Sequence, residues 1–302
     1  MKILLLGKNG QVGWELQRSL APLGKLVALD REGENGLCGD LADLNGLRLT
    51  IERVQPDIIV NAAAYTAVDK AESEAAKALQ INHEAPQFLA EEMHRLNGWL
   101  VHYSTDYVFD GSGENPWREN DLTAPLSVYG KSKLFGEQAI QASGCKHLIF
   151  RTSWVYGAHG NNFAKTMLRL AGERDHLKVI DDQIGAPTGA DLLADITAHA
   201  LHRAVIKPAL AGLYHVTSAG ETSWYDYARF IVTSGLNHGI KLKVQDISPI
   251  STSEYQTSAQ RPRNSRLDTG KLSNSFGLHL PAWREGITRL LKEVSDNKYD
   301  PT

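Results

Sequence analysis

The chain opens with short apolar runs that alternate with longer mixed stretches. Lys2 to Leu6 is a run of strand length, and Gln11 to Leu20 reads as a helix stopped by Pro22 and Gly24. Lys25 to Asp30 predicts a second strand. Asp57 to Asn61 predicts a third, following a helical stretch and Pro56. A helix from Ala85 to Asn97 leads into a strand from Trp99 to Ser104, and a long helix from Leu126 to Ala142 into one from His147 to Arg151. Apolar strands separated by helix-length segments predict an α/β fold, a doubly wound parallel sheet covered on both faces.

After about Thr152 the rhythm changes. Helical patterns from Phe163 to Glu173 and from Asp191 to Ala204 are joined by longer irregular segments, and Ser248 to Arg266 shows almost no periodicity. We therefore expect one domain over residues 1–152 and a smaller, irregular one over 153–302, mainly for substrate, with segments returning to the first domain's sheet. Such a domain would close over the carboxyl edge of the sheet, where folds of this kind bind ligands.

Composition narrows the function classes. A formal net charge of −3 gives no broad pull toward nucleic acid or an anionic membrane. Two cysteines, Cys38 and Cys145, make no disulfide framework and point to a reducing compartment. The first apolar run is too short for a signal peptide, and no stretch approaches membrane-span length. These features predict a soluble, cytoplasmic protein.

Candidate chemistry begins right after the first strand. Gly7, Gly10 and Gly13 have the spacing G-x-x-G-x-x-G at the strand-to-helix turn. Gly7 would allow the turn, Gly10 the approach of a pyrophosphate and Gly13 close helix–strand contact. The helix start would add free N–H groups and partial positive charge. That position makes the first domain a Rossmann dinucleotide-binding domain. Asp30 stands where an acid accepts hydrogen bonds from the adenosine ribose, while Arg31 beside it would offset its repulsion of a 2′-phosphate, so NAD and NADP both stay open. Asp40, followed by Leu41, is either an adenine contact or a helix cap. Asn61 to Ala64 offers small side chains that leave room for a cofactor or simply pack closely.

Tyr129 and Lys133 lie four residues apart on a predicted helix and so share a face. A nearby ammonium would lower the phenol's pKa and make Tyr129 a proton donor to an oxygen becoming an alkoxide. Ser104, Thr105 and Asp106 close the preceding strand, placing hydroxyls at the same crevice, where Thr105 could bind the developing oxyanion.

Together these motifs resemble the extended short-chain dehydrogenase/reductase superfamily and, within it, the dTDP-4-dehydrorhamnose reductase family. The likeness spans essentially the whole chain. It rests on Gly7 to Trp14, residues 61–72 (NAAAYTAVDKAE), 104–109 (STDYVF), 129–137 (YGKSKLFGE), 151–157 (RTSWVYG), 182–188 (DQIGAPT) and 261–267 (RPRNSRL). VDKAE and DQIGAPT are the specific stretches.

The resemblance implies Tyr129 as proton donor, Lys133 on the nicotinamide ribose and Thr105 stabilising the transition state. It implies Thr105, Asp106 and Trp154 against the sugar nucleotide. Gly10, Gln11, Val12, Asp30, Asp40, Leu41, Ala64, Tyr65, Thr66 and Tyr103 would line the cofactor. The implied reaction reduces the C4 keto group of dTDP-4-dehydro-β-L-rhamnose with NADPH, or NADH, in the synthesis of dTDP-L-rhamnose for lipopolysaccharide O-antigen. Arg261, Arg263 and Arg266 are candidates for the substrate diphosphate. The family also implies a homodimer around a structural Mg²⁺, with Glu15 and Asp191 at the metal positions; Asp191 is shorter than the family's Glu.

Two rivals remain. Nucleotide-sugar dehydratases or epimerases share the fold, but dehydratases place an Asp-Glu pair after the catalytic Thr, whereas Asp106 and Tyr107 follow here. A related branch is a non-catalytic NADP-binding partner of methionine adenosyltransferase, against which the intact Thr105, Tyr129 and Lys133 set argues.

Overall fold

The computed structural model describes residues 1–296; the last six positions of the second expected domain lie outside the described residues. Six parallel strands form the central sheet. Five come from the first half: β1 (Lys2–Leu6), β2 (Lys25–Leu29), β3 (Ile58–Asn61), β4 (Trp99–Thr105) and β5 (Lys146–Thr152). The sixth, Gly212–His215, comes from the second half and pairs with β5, completing the order Gly212–His215, β5, β4, β3, β1, β2.

Strand alternation explains why this sheet needs helices on both sides. Ile3 and Leu5 enter one core with Leu16 and Leu20 of α1 (Gln11–Leu20) and Leu193 and Ala200 of the helix Ala190–Ile206. Leu4 and Leu6 enter the opposite core with Leu47 and Ile51 of α2 (Leu44–Val54) and with Leu89 and Met93 farther along. With both pleat faces dry, a continuous apolar run is the stable strand sequence.

The helix expected from Ala85 is the end of a longer chain of turns. Val68–Ala71 (α3) and Ala75–Leu79 (α4) lead through one wide π turn, Gln80–Glu84, into α5 (Ala85–Arg95). The wide turn holds Asn82, whose side chain bonds Tyr65 N–H, Tyr65 C=O and the Ser132 hydroxyl. The next helix, α6 (Val128–Ala142), starts two residues later than its pattern predicts because the Ser127 side chain accepts from Gly130 N–H and caps it.

The second half adds its own core. Helices Phe163–Glu173, Trp224–Asn237 and Trp283–Asp296 bury Met167, Tyr227, Ile231, Ile287 and Leu291 against one another. Only the first of these three was legible as a pattern. The segment expected to be irregular does hold one strand, Asp246–Ile250, paired in parallel with His176–Ile180. It carries Pro249 in a two-stranded pair, where a missing donor costs little.

Candidate active site

A cleft of about 980 Å³ opens at the carboxyl ends of β1 to β5, running from the glycine turn to Tyr129, Lys133 and Thr152. At its first end the walls are backbone. Gly7 has φ +88°, and a side chain there would come within 2.8 Å of Ala63 N. A side chain at Gly13 would run into the Gly7 carbonyl, so the two glycines set how closely α1 sits on the sheet. A Cβ at Gly10 would meet only the Gly7 oxygen, at 3.4 Å, so its bareness keeps the cleft side open. Among the described residues no side chain caps α1. Its first N–H groups and positive dipole end therefore face the cleft, an arrangement that suits a pyrophosphate.

Asp30 is drawn into local turns: its carboxylate accepts from Asn9 Nδ2 at 2.6 Å and from the N–H groups of Glu32 and Gly33. Arg31 is exposed on the same rim. Asp40 also lines the cleft, and it is Asp43 that caps α2, accepting from Gly46 N–H at 2.9 Å. Leu41, Ala64, Tyr65, Thr66 and Tyr103 line the cleft as well. The Tyr103 phenol shares a 2.6 Å hydrogen bond with Thr197.

At the other end the walls are side chains. Thr105 is buried, donates to Asp106 Oδ1 at 3.0 Å and accepts from Tyr107 N–H. Burial pushes the Asp106 carboxyl up to about 6, with the neighbouring Ser265 and Thr105 hydroxyls acting the other way. Its Oδ2 has no partner among the described residues, and neither do the hydroxyls of Ser104 and Thr152 nearby on β4 and β5. Buried polar atoms left open at a cleft suit the hydroxyls of a polar ligand.

One expectation is corrected here. The phenol of Tyr129 is not acidified: burial pushes it up to about 12, with the Thr105 hydroxyl lowering it and the Asp106 charge raising it further. Lys133 is itself buried, which lowers its amine to about 8 against some support from Glu137. A low-dielectric pocket disfavours both charged forms, and that cost exceeds the attraction expected from helical spacing. The phenol therefore keeps its proton at neutral pH.

The Lys133 Nζ donates to the Tyr103 carbonyl at 2.6 Å and lies 3.1 Å from His102 Nε2. Sequence reading missed His102; the available signal was one histidine inside an apolar strand. Trp154 has φ +50° and its ring lies between Gly185, where a Cβ would be 2.7 Å away, and Trp224, stacked at 3.6 Å. The small residue of DQIGAPT thus makes room for that ring.

The late arginines are all engaged by acids. Arg261 donates to Asp69 Oδ2 at 2.7 Å, Arg266 to Glu221 at 2.6 Å, and Arg263 lies 3.8 Å from Asp182. Asp69 belongs to the VDKAE stretch, which thus ties the first half of the chain to the second. Glu15 pairs with Arg18 at 3.5 Å and Asp191 with Arg289 at 3.4 Å. Among the described residues no three His, Cys, Asp or Glu side chains gather as a metal site.

Known proteins resemble this chain over nearly all of its length. The chain is 55% identical to dTDP-4-dehydrorhamnose reductase of Escherichia coli K12, covering 97% of this chain and 98% of that one. A crystal structure of the Clostridium acetobutylicum dTDP-4-dehydrorhamnose reductase superposes with TM-score 0.88 at 35% identity, covering 97% and 99%. The Bacillus anthracis enzyme, solved in complex with NADP, gives 0.86 at 35% identity with the same coverage. The model of the RmlD substrate binding domain matches residues 1–296, and the chain belongs to that family, the family of the dTDP-4-dehydrorhamnose reductases.

Proposed function

We propose that the protein reduces the C4 keto group of dTDP-4-dehydro-β-L-rhamnose to give dTDP-L-rhamnose, with NADPH as the preferred reductant and NADH as a substitute. One observation carries the reading. The cleft that starts at an uncapped helix N-terminus ends at a protonated phenol beside a buried hydroxyl. A bound nicotinamide cofactor would supply the hydride to C4.

The chain's residues do the rest. The glycine turn and the first N–H groups of α1 hold the diphosphate of the cofactor. Arg31, exposed on the rim, meets a 2′-phosphate, which favours NADPH. Lys133 positions the nicotinamide ribose. Tyr129 donates its proton to the C4 oxygen as charge develops there, and Thr105, turning its one hydroxyl proton away from Asp106, donates a hydrogen bond to the same oxygen. Asp106 and Trp154 hold the sugar, and residues 153–302 supply most of the sugar-nucleotide side. Arg261 would reach the substrate diphosphate by exchanging its contact with Asp69.

The homodimer belongs to this reading and would join exposed faces of α1 and Ala190–Ile206. Magnesium does not fit a single copy, because Glu15 and Asp191 each already hold an arginine, and no step depends on it. No described helix is long and apolar enough to cross a membrane. A cytoplasmic location accords with that and with a diffusible nucleotide substrate.

The test is absorbance at the nicotinamide band with enzymatically generated dTDP-4-dehydro-L-rhamnose, the product sugar being identified by NMR. Stoichiometric NADPH consumption with a C4-reduced product is expected. Cofactor retained and regenerated, as in a dehydratase or epimerase, overturns the proposal.

A further inference from the structure

Behind Lys133 a line of buried polar side chains runs through the sheet. Asn61 ends β3, His102 is its register partner on β4, and Lys133 lies on α6 above them. All three are at most 2% exposed. His102 Nδ1 is 3.2 Å from Asn61 Nδ2, and its Nε2 is 3.1 Å from Lys133 Nζ.

The direction of these bonds follows from one fixed donor. The Ala63 backbone N–H reaches Asn61 Oδ1 at 3.2 Å, and a backbone N–H can only donate. Asn61 Oδ1 is therefore the acceptor, which leaves Nδ2 to donate to His102 Nδ1. An imidazole that accepts at Nδ1 carries its proton on Nε2, facing Lys133. The amine must then accept from Nε2–H while donating to the Tyr103 carbonyl at 2.6 Å. Only an uncharged amine has a lone pair to do so.

We propose that Asn61 and His102 are positioning residues that hold Lys133 as a neutral amine in the unliganded protein, so that its charge appears only when the chain rearranges. Taking one proton from solvent onto Nζ requires the imidazole proton to move to Nδ1 and the Asn61 amide to turn over. The Ala63 N–H then loses its acceptor. Because Ala63 lines the cofactor cleft, occupancy there and the charge of Lys133 are linked.

Other groups around Lys133 do not replace this control. Tyr129 and Glu137 share its helix, and Glu137 is held by Arg151 of β5 through two bonds of 2.9 and 2.6 Å. Tyr103 of β4 offers its carbonyl, its phenol being engaged by Thr197. Burial keeps His102 uncharged.

The direct test is a long-range ¹H–¹⁵N correlation spectrum of full-length, histidine-labelled protein without cofactor at pH 9, above the value near 8 to which burial lowers the Lys133 amine and below its ordinary 10.5. His102 is assigned by the signal lost in His102→Gln. The Nε2–H tautomer is expected; an Nδ1–H tautomer or an imidazolium overturns the proposal. A second readout rests on the proposed reductase activity. In Asn61→Leu the imidazole is free to present a lone pair, so the alkaline limb of kcat/KM should move up by about half to one pH unit. An unmoved limb with lower kcat, the mark of a purely structural role, or a downward shift counts against it. If wild-type protein shows no turnover, the function reading fails while the tautomer measurement still decides this one.

Discussion

The two ends of the cleft are built by different means. The phosphate end is made of backbone, with two glycines that admit close approach and a helix start that presents N–H groups. The far end is made of side chains drawn from β4, α6 and the loop after β5, most of them buried and mutually bonded. Backbone geometry is set locally and tolerates many side chains around it. A buried polar cluster is set by several elements at once, and each missing partner leaves another atom unsatisfied. Binding and chemistry should therefore separate under mutation.

The sharpest separation is Tyr129→Phe. It keeps the cleft's shape and removes the one proton held for donation, so kcat should fall about 10²- to 10⁴-fold. Fluorescence titration should show NADPH binding nearly unchanged; a loss of binding equal to the loss of rate would break the contrast between the two ends.

Gly13→Ala attacks the opposite end. The added methyl meets the Gly7 carbonyl and forces α1 outward, an overpacking cost of about 1–3 kcal/mol. A lower Tm and a raised cofactor Kd are expected, with the bound enzyme's hydride-transfer rate, followed by single-turnover absorbance, changing far less.

Lys133→Met tests the cost of the polar end in stability terms. The amine sits near 8 when folded and near its ordinary 10.5 when unfolded, so the wild type is penalised once pH falls below the unfolded value. The penalty is absent above the unfolded value, grows as pH drops between the two, and is constant below. Removing the amine should stabilise the protein by about 1–3 kcal/mol at pH 7, less any lost hydrogen bonds, with no gain above the unfolded value. Urea denaturation at pH 7 and pH 10.5 measures it, and activity should be lost. A destabilised variant at pH 7 would show that the chain from Asn61 to Lys133 contributes more than it costs.

Arg31→Ala has the smallest expected effect. The group is exposed, so losing its contact to a 2′-phosphate should reduce the preference for NADPH over NADH by about tenfold or less, read as a ratio of kcat/KM values. An unchanged ratio would remove Arg31 from cofactor discrimination.

The phosphate end was legible because its determinants are neighbours in the chain. Lys2 to Leu6, the glycine triplet and Gln11 to Leu20 carry strand, turn and helix within twenty residues, and both elements occupy the predicted spans. The Tyr129 and Lys133 pair was legible for the same reason, being one helical turn. Their electrostatics were not, because burial depends on what α6 packs against. Nor was the grip of Asp69 on Arg261, or Trp224 on Trp154, since nothing in local pattern brings residues so far apart into contact.

From its own residues the chain determined a parallel sheet with dry faces, a glycine turn at the first strand and a phenol one turn from an amine. These follow from periodicity and steric size, which act over a few residues. Tertiary structure decided which of those groups are charged, which arginines are already engaged, and that Asn61, His102 and Lys133 meet in line. Desolvation and hydrogen-bond direction depend on every neighbour in space, and that set exists only once the strands have found their order.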